Sequence, residues 1–131
     1  MVIMDALAGA GVDSMSYSMN YLQEIVIAAA REELLPRFAR VARQHKVDGS
    51  VLTAADLAMQ ERLAGLLQRQ FPDTVFLGEE MDAAEQKRLL QTDMPVWCLD
   101  PLDGTSNFAA GIPYFCVSLA LLQRGKVVLG L

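Results

Sequence analysis

The 131-residue chain reads as an α+β domain, with two N-terminal helices packed on a mainly antiparallel sheet. Three observations predict this. The periodic segments run helix, helix, strand, helix, strand, strand, strand, so the strands gather in the second half. The last two strands are joined by the tight turn Gln123-Arg124-Gly125-Lys126, which makes them a hairpin. The apolar fraction is 53% against 21% charged, enough for one core and too apolar for a disordered chain.

Residues 1–16 read as a variable leader. Gly9-Ala10-Gly11-Val12-Asp13-Ser14 resembles part of a dinucleotide fingerprint, but the last Gly or Ala is missing and no strand precedes it, so it reads as a loop. Asp5, with no Lys or Arg before Arg31, excludes a secretory signal. From Ser18 to about Gln44 the pattern is helical, with Tyr21, Leu22, Ile25, Ala28, Ala29, Leu35, Phe38 and Ala42 broadly on one face. Pro36 lacks a donor and should kink this helix or end its first part.

Asp48-Gly49-Ser50 is a turn, and Val51 and Leu52 form a short extended piece. Thr53 is the N-cap of a second helix, with Asp56 at the third helical position as a weaker capping box. That helix runs to about Gln70 and buries Met59, Leu63, Leu66 and Leu67; Phe71-Pro72-Asp73 ends it. Val75-Phe76-Leu77 is a short buried strand closed by Gly78-Glu79-Glu80. A charged helix follows over about Ala83 to Gln91. Val96 to Leu99 is the next strand, ending at Asp100-Pro101. Tyr114 to Leu122 is a long strand, and Val127 begins its returning partner.

Charge narrows the class of function. Eleven basic against sixteen acidic side chains leave −5, which argues against nucleic acid as a partner. Residues 47–103 alone carry eleven acids and four bases, a local −7. Such a run is either a solvated face or a carboxylate cluster neutralised by a hard cation. The longest uncharged stretch, Gly104 to Gln123, is interrupted by Gly111 and Pro113, and its strongly apolar part is too short to span a bilayer. Cys98 and Cys116 lie in apolar runs without metal-ligand spacing. They read as reduced thiols of a cytoplasmic protein.

The chemistry concentrates in Asp100-Pro101-Leu102-Asp103-Gly104-Thr105-Ser106-Asn107. A buried strand delivers Asp100 to its end, Pro101 turns the chain, and Asp103 can point back toward Asp100. Two carboxylates forced together repel unless a cation sits between them, and hard oxygen donors select Mg²⁺, Ca²⁺ or Mn²⁺. Gly104 permits close approach to a ligand, while Thr105, Ser106 and successive N–H groups can form an anion nest. An Asp-Gly turn leading into a helix cap explains the same residues without chemistry. A calcium helix-loop-helix is excluded, because Gly111 stands where its Glu belongs. The Asp-x-Asp-x-Thr spacing of aspartyl-phosphate phosphatases is also absent. Glu79-Glu80 is a second acidic pair; if the Val75 and Val96 strands are neighbours, Glu79 and Asp100 share one end of the sheet. His45, the only histidine, lies in a basic helix end and reads as a surface residue.

Taken together, the motifs resemble the inositol monophosphatase family of metal-dependent phosphatases. The resemblance rests on Asp48 to Asp56, on Phe76-Leu77-Gly78-Glu79-Glu80, on Trp97 to Phe108, and on Ile112-Pro113 before the long strand. It extends over about residues 18–131 and implies the N-terminal half of a layered αβαβα sugar-phosphatase fold. It further implies that Glu79, Asp100, Asp103 and the Leu102 carbonyl bind metal, with Glu80 close behind them. Asp56 and Thr105 would pair to orient the attacking water and, with Glu79, form the catalytic group. Gly104, Thr105 and Ser106 would hold the phosphate. Lys46 lies close to a lysine that the family carries on a mobile loop, although its spacing to Asp56 leaves the match open; Ser106 replaces a frequent threonine.

The resemblance also implies Mg²⁺ as cofactor, two or three ions in a complete site, lithium sensitivity, a small phosphorylated substrate, no membrane partner, and a homo-oligomer such as a dimer. Inositol monophosphate is the first substrate expected; histidinol phosphate, fructose 1,6-bisphosphate and phosphoadenosine phosphate are the others. Members of that family are about twice as long, the size of two domains. The expectation is therefore that residues 1–131 form the metal- and phosphate-binding half, without the C-terminal half and its further Trp-Asp aspartate. Such a chain would be weakly active or inactive alone. A non-catalytic metal-binding or interaction protein is the alternative.

Overall fold

In the computed structural model, residues 17–46 and 51–131 are described. The leader with its Gly9–Ser14 segment and the Asp48-Gly49-Ser50 turn lie outside them. Helix α1 spans Met19–Glu33 and buries Leu22 and Ala29, and the Ser18 hydroxyl accepts from the Tyr21 N–H. The sequence predicts a kinked helix to about Gln44, but helical structure stops much earlier. Leu35–Arg37 form one tight 3₁₀ turn around Pro36, Phe38 is extended, and Ala39 turns the chain with φ of 57°. Proline withholds the donor that the next turn needs. The freed chain instead forms strand β1, Gln44–His45, which pairs antiparallel with β2, Val51–Leu52, in the register Gln44↔Leu52 and His45↔Val51.

Helix α2, Ala54–Gln70, starts at a full capping box. The Thr53 hydroxyl accepts from the Ala55 N–H, and the Asp56 carboxylate accepts from the Thr53 N–H at 2.8 Å. Its buried stripe is Ala55, Met59, Leu63 and Leu67. Strand β3, Val75–Gly78, leads through helix α3, Ala83–Leu89, to strand β4, Val96–Asp103. The short helix α4, Thr105–Ala109, precedes strands β5, Cys116–Gln123, and β6, Lys126–Gly130. Strand β5 starts two residues later than its apolar pattern suggests: the Tyr114 carbonyl accepts from the Asn107 side chain.

The main sheet has the order β3-β4-β5-β6. β3 and β4 are parallel, joined through α3, while β4–β5 and β5–β6 are antiparallel. The β5–β6 turn places Arg124 at φ 49° and Gly125 at φ 72°, the left-handed pair that a two-residue hairpin requires. Helix α2 covers one face of the sheet and is itself covered by α1. Alternate residues Trp97 and Leu99 of β4 and Leu119 and Leu121 of β5 point into this core. Tyr17, Phe71 and Trp97 close one end of the core, with ring centroids 5.0–5.6 Å apart. No described helix is long and apolar enough to cross a membrane.

Candidate metal and phosphate site

The parallel register Val75↔Val96 brings the C-terminal ends of β3 and β4 side by side. The Glu79 N–H extends this ladder, donating to the Leu99 carbonyl at 3.0 Å, so Glu79 stands next to Asp100. Asp100 and Asp103 are an odd number of residues apart, which in a regular strand sends their side chains to opposite faces. A bulge removes that conflict. Asp100 pairs with Ser118 and Asp103 with Cys116, so β4 carries one residue more than β5 between the two pairs. Pro101 sits in this irregular step, where no ladder donor is needed. The Leu102 N–H turns back to donate to Asp100 Oδ1 at 3.1 Å.

Glu79, Asp100 and Asp103 all line one cavity of about 290 Å³, together with Lys46, Val51, Leu102, Gly104, Thr105, Ser106 and Asn107. Burial, followed by the nearby Glu79 and Asp103 charges, pushes the Asp100 carboxyl up to about 6, against the lowering effect of the Leu102 N–H. Among the described residues, however, no three acidic, Cys or His side chains close around a single point. The Lys46 ammonium also reaches the cavity. It donates to Glu80 Oε1 at 2.7 Å and to Glu79 Oε1 at 3.0 Å. Burial alone lowers the Lys46 pKa, but the hydrogen bonds to Glu80 and Glu79 outweigh it and hold the ammonium above its ordinary value. The Glu80 side chain is 6% exposed and that of Glu79 49%.

The other side of the cavity is lined by Gly104 and the start of α4, and α2 supports it through Asp56. Asp56 is buried at the start of α2. Its Oδ2 accepts from the Thr53 hydroxyl at 2.6 Å and the Thr53 N–H at 2.8 Å. Its Oδ1 faces the Thr105 hydroxyl at 2.9 Å. That hydroxyl has a second acceptor, the Leu102 carbonyl, at 2.8 Å. Gly104 holds φ at 89°, and a Cβ there would meet the Tyr114 carbonyl at 2.9 Å, so the turn into α4 favours glycine on both counts. Ser106 lines the cavity beside Thr105.

The structure thus brings Asp56, Glu79, Asp100, Leu102, Asp103, Gly104, Thr105 and Ser106 to one region, with Glu80 behind Glu79 on Lys46. Sequence reasoning passed over two supports. The Gln60 side chain accepts from the Glu80 N–H at 3.1 Å, and the Gln86 side chain donates to the Gly78 and Glu79 carbonyls at 2.9 and 3.0 Å. Gln60 follows Asp56 by one helical turn, a spacing that places both on one face and was available as a signal. Gln86, on a different helix, gave none. The donor set of carboxylates and a backbone carbonyl suits a hard divalent cation by its chemistry.

This arrangement of helices over a mixed sheet is shared by solved IMPase structures. The structure of extragenic suppressor protein suhB from Bartonella henselae superposes with a TM-score of 0.70 at 29% identity, over 86% of this chain and 43% of that one. A structure of an IMPase/NADP phosphatase complexed with Mg²⁺ and phosphate shares the fold with a TM-score of 0.64 at 24% identity, over 85% and 40% of the two chains. Inositol monophosphatase 2 of Solanum lycopersicum is 40% identical over 87 residues, 66% of this chain and 33% of that protein. The matched stretches thus cover between 33% and 43% of the length of these proteins. The inositol monophosphatase family model matches residues 13–131, and the chain belongs to that family.

Proposed function

We propose that this site belongs to a metal-dependent phosphomonoesterase whose first substrate is an inositol monophosphate, and that this chain supplies its metal- and phosphate-binding half. The observation that carries the reading is the Thr105–Asp56 hydrogen bond at 2.9 Å, with Thr105 lining the same cavity as Glu79, Asp100 and Asp103. Family membership supports it.

Glu79, Asp100, Asp103 and the Leu102 carbonyl would hold Mg²⁺, and Glu80 would hold Lys46 beside them. A bound divalent cation supplies Lewis acidity and lowers the pKa of water. The remaining steps fall to the protein. Asp56, fixed by two bonds from Thr53, accepts a hydrogen bond from the Thr105 hydroxyl through its other oxygen. The Thr105 oxygen then turns its lone pairs to the cavity and accepts an O–H from a water, which fixes the direction of attack. Gly104, Thr105 and Ser106 cradle the phosphate, with backbone approach made possible by the missing Cβ at Gly104. No covalent enzyme intermediate is required.

A second reading, cation binding without turnover, is favoured by the share of a curated relative that the matched stretch covers, 33%. Calorimetric Mg²⁺ titration and phosphate release from inositol 1-phosphate separate the two. Binding with Mg²⁺-dependent release, both weakened in Asp100→Asn, supports the enzyme. Binding with no release by the chain or by its assembly with any partner supports the second reading. No Mg²⁺ binding overturns both.

A further inference from the structure

Among the described residues, Lys46 is the only basic one lining the cavity, and it bridges the two acids that follow β3. The two contacts are unequal. Glu80 is nearly covered and holds the ammonium at 2.7 Å; Glu79 is half exposed and holds it at 3.0 Å. Glu79 also stands against Asp100, so its carboxylate faces a second carboxylate on one side and the ammonium on the other. A cation offsets the repulsion of such a pair, and the Lys46 ammonium supplies one. A divalent ion recruiting Glu79 must compete with Lys46 for the same oxygens.

The element that carries Lys46 is suited to yielding. It follows β1, whose pairing with β2 consists of two residue pairs, a ladder too short to be stable alone. Glu80 is anchored independently, through the Gln60 bond to its N–H and the Gln86 bond to the neighbouring Glu79 carbonyl. Lys46 can therefore release Glu79 while remaining on Glu80.

We propose that Lys46 is a built-in counter-ion of Glu79, held in reserve by Glu80, which a divalent cation must displace from Glu79 to bind. The proposal rests on the reading of this cavity as a cation site. It makes Lys46 a positioning residue: it keeps Glu79 in place without metal and raises the metal concentration needed to fill the site.

The test is calorimetric Mg²⁺ titration of the full chain and three variants, each checked for folding by circular dichroism. Lys46→Met should bind Mg²⁺ roughly two- to fivefold more tightly, the range set by an ion pair of this exposure. Lys46→Arg, which keeps the charge, should stay near the parent. Lys126→Met, at the far end of the sheet and beyond effective screening distance, should not change affinity; an equal gain there would assign the effect to net charge and overturn the proposal. A direct readout is the ¹⁵N signal of the Lys46 ammonium, which should shift as Mg²⁺ fills the site. Unchanged affinity in Lys46→Met, with the parent still binding, overturns the proposal alone. No binding by parent or variant overturns the cation-site reading as well.

Discussion

Thr105 and Asp56 stand 49 positions apart in the chain and meet at 2.9 Å, and Asp56 is at the same time the third residue of the α2 capping box. One carboxylate thus closes a helix terminus with one oxygen and orients a hydroxyl in the cavity with the other. The capping bonds immobilise Asp56, so the Thr105 oxygen is aimed by a group that cannot rotate away.

The double duty separates two variants. Asp56→Ala should lose the cap and the buried acceptor together, at about 2–4 kcal/mol in urea unfolding. Thr105→Ala, which leaves the capping box intact, should cost less stability. In an active assembly it should lower kcat while leaving Mg²⁺ affinity nearly unchanged. Near-parent kcat in Thr105→Ala would reduce Thr105 to a turn residue.

Metal ligation by the β4 acids is tested by Asp100→Asn and Asp103→Asn. Each removes an anionic donor, so each should weaken Mg²⁺ or Mn²⁺ binding in calorimetry. Unchanged titrations in both variants would remove the assignment.

Stability without metal should depend on pH through Asp100. Its carboxyl sits at about 6 in the fold against an ordinary value of 3.8, so between these values the folded chain holds a proton that the unfolded chain has released. Stability from this group is complete below about 4 and is lost as pH rises through about 6. Asp100→Asn should accordingly gain on the parent from acid to neutral pH in metal-free urea melts, with no advantage near pH 4. Saturating Mg²⁺ at neutral pH should reverse the order.

The two turn glycines should respond differently to alanine. Gly104 combines φ of 89° with a Tyr114 carbonyl 2.9 Å from the added carbon, whereas Gly125 has φ of 72° with nothing near. Gly104→Ala should cost about 1–3 kcal/mol and distort the turn into α4. Gly125→Ala should cost about 1 kcal/mol. Equal losses in thermal unfolding would show that the close approach at Gly104 carries no weight.

The features legible in the sequence were those set by neighbours along the chain. The Thr53–Asp56 box fixes where α2 begins, because the bonds that close it span a single helical turn. Arg124-Gly125 determines the β5–β6 hairpin, since its left-handed backbone reverses the strand locally. The order of Glu79, Asp100, Asp103 and Thr105 was likewise readable. Tertiary structure decided what these residues face. Pro36 announced an interruption, but the extended β1 after it exists because Val51 and Leu52 lie alongside. The spacing of Asp100 and Asp103 opposes them in a regular strand, and only pairing with β5 creates the bulge that turns both into one cavity. Lys46 gave no local sign of its partners, because Glu79 and Glu80 reach it only after β3 has docked beside β4. Backbone signals of this kind act over three or four residues, whereas charge pairing and strand register depend on groups brought together by the packed core.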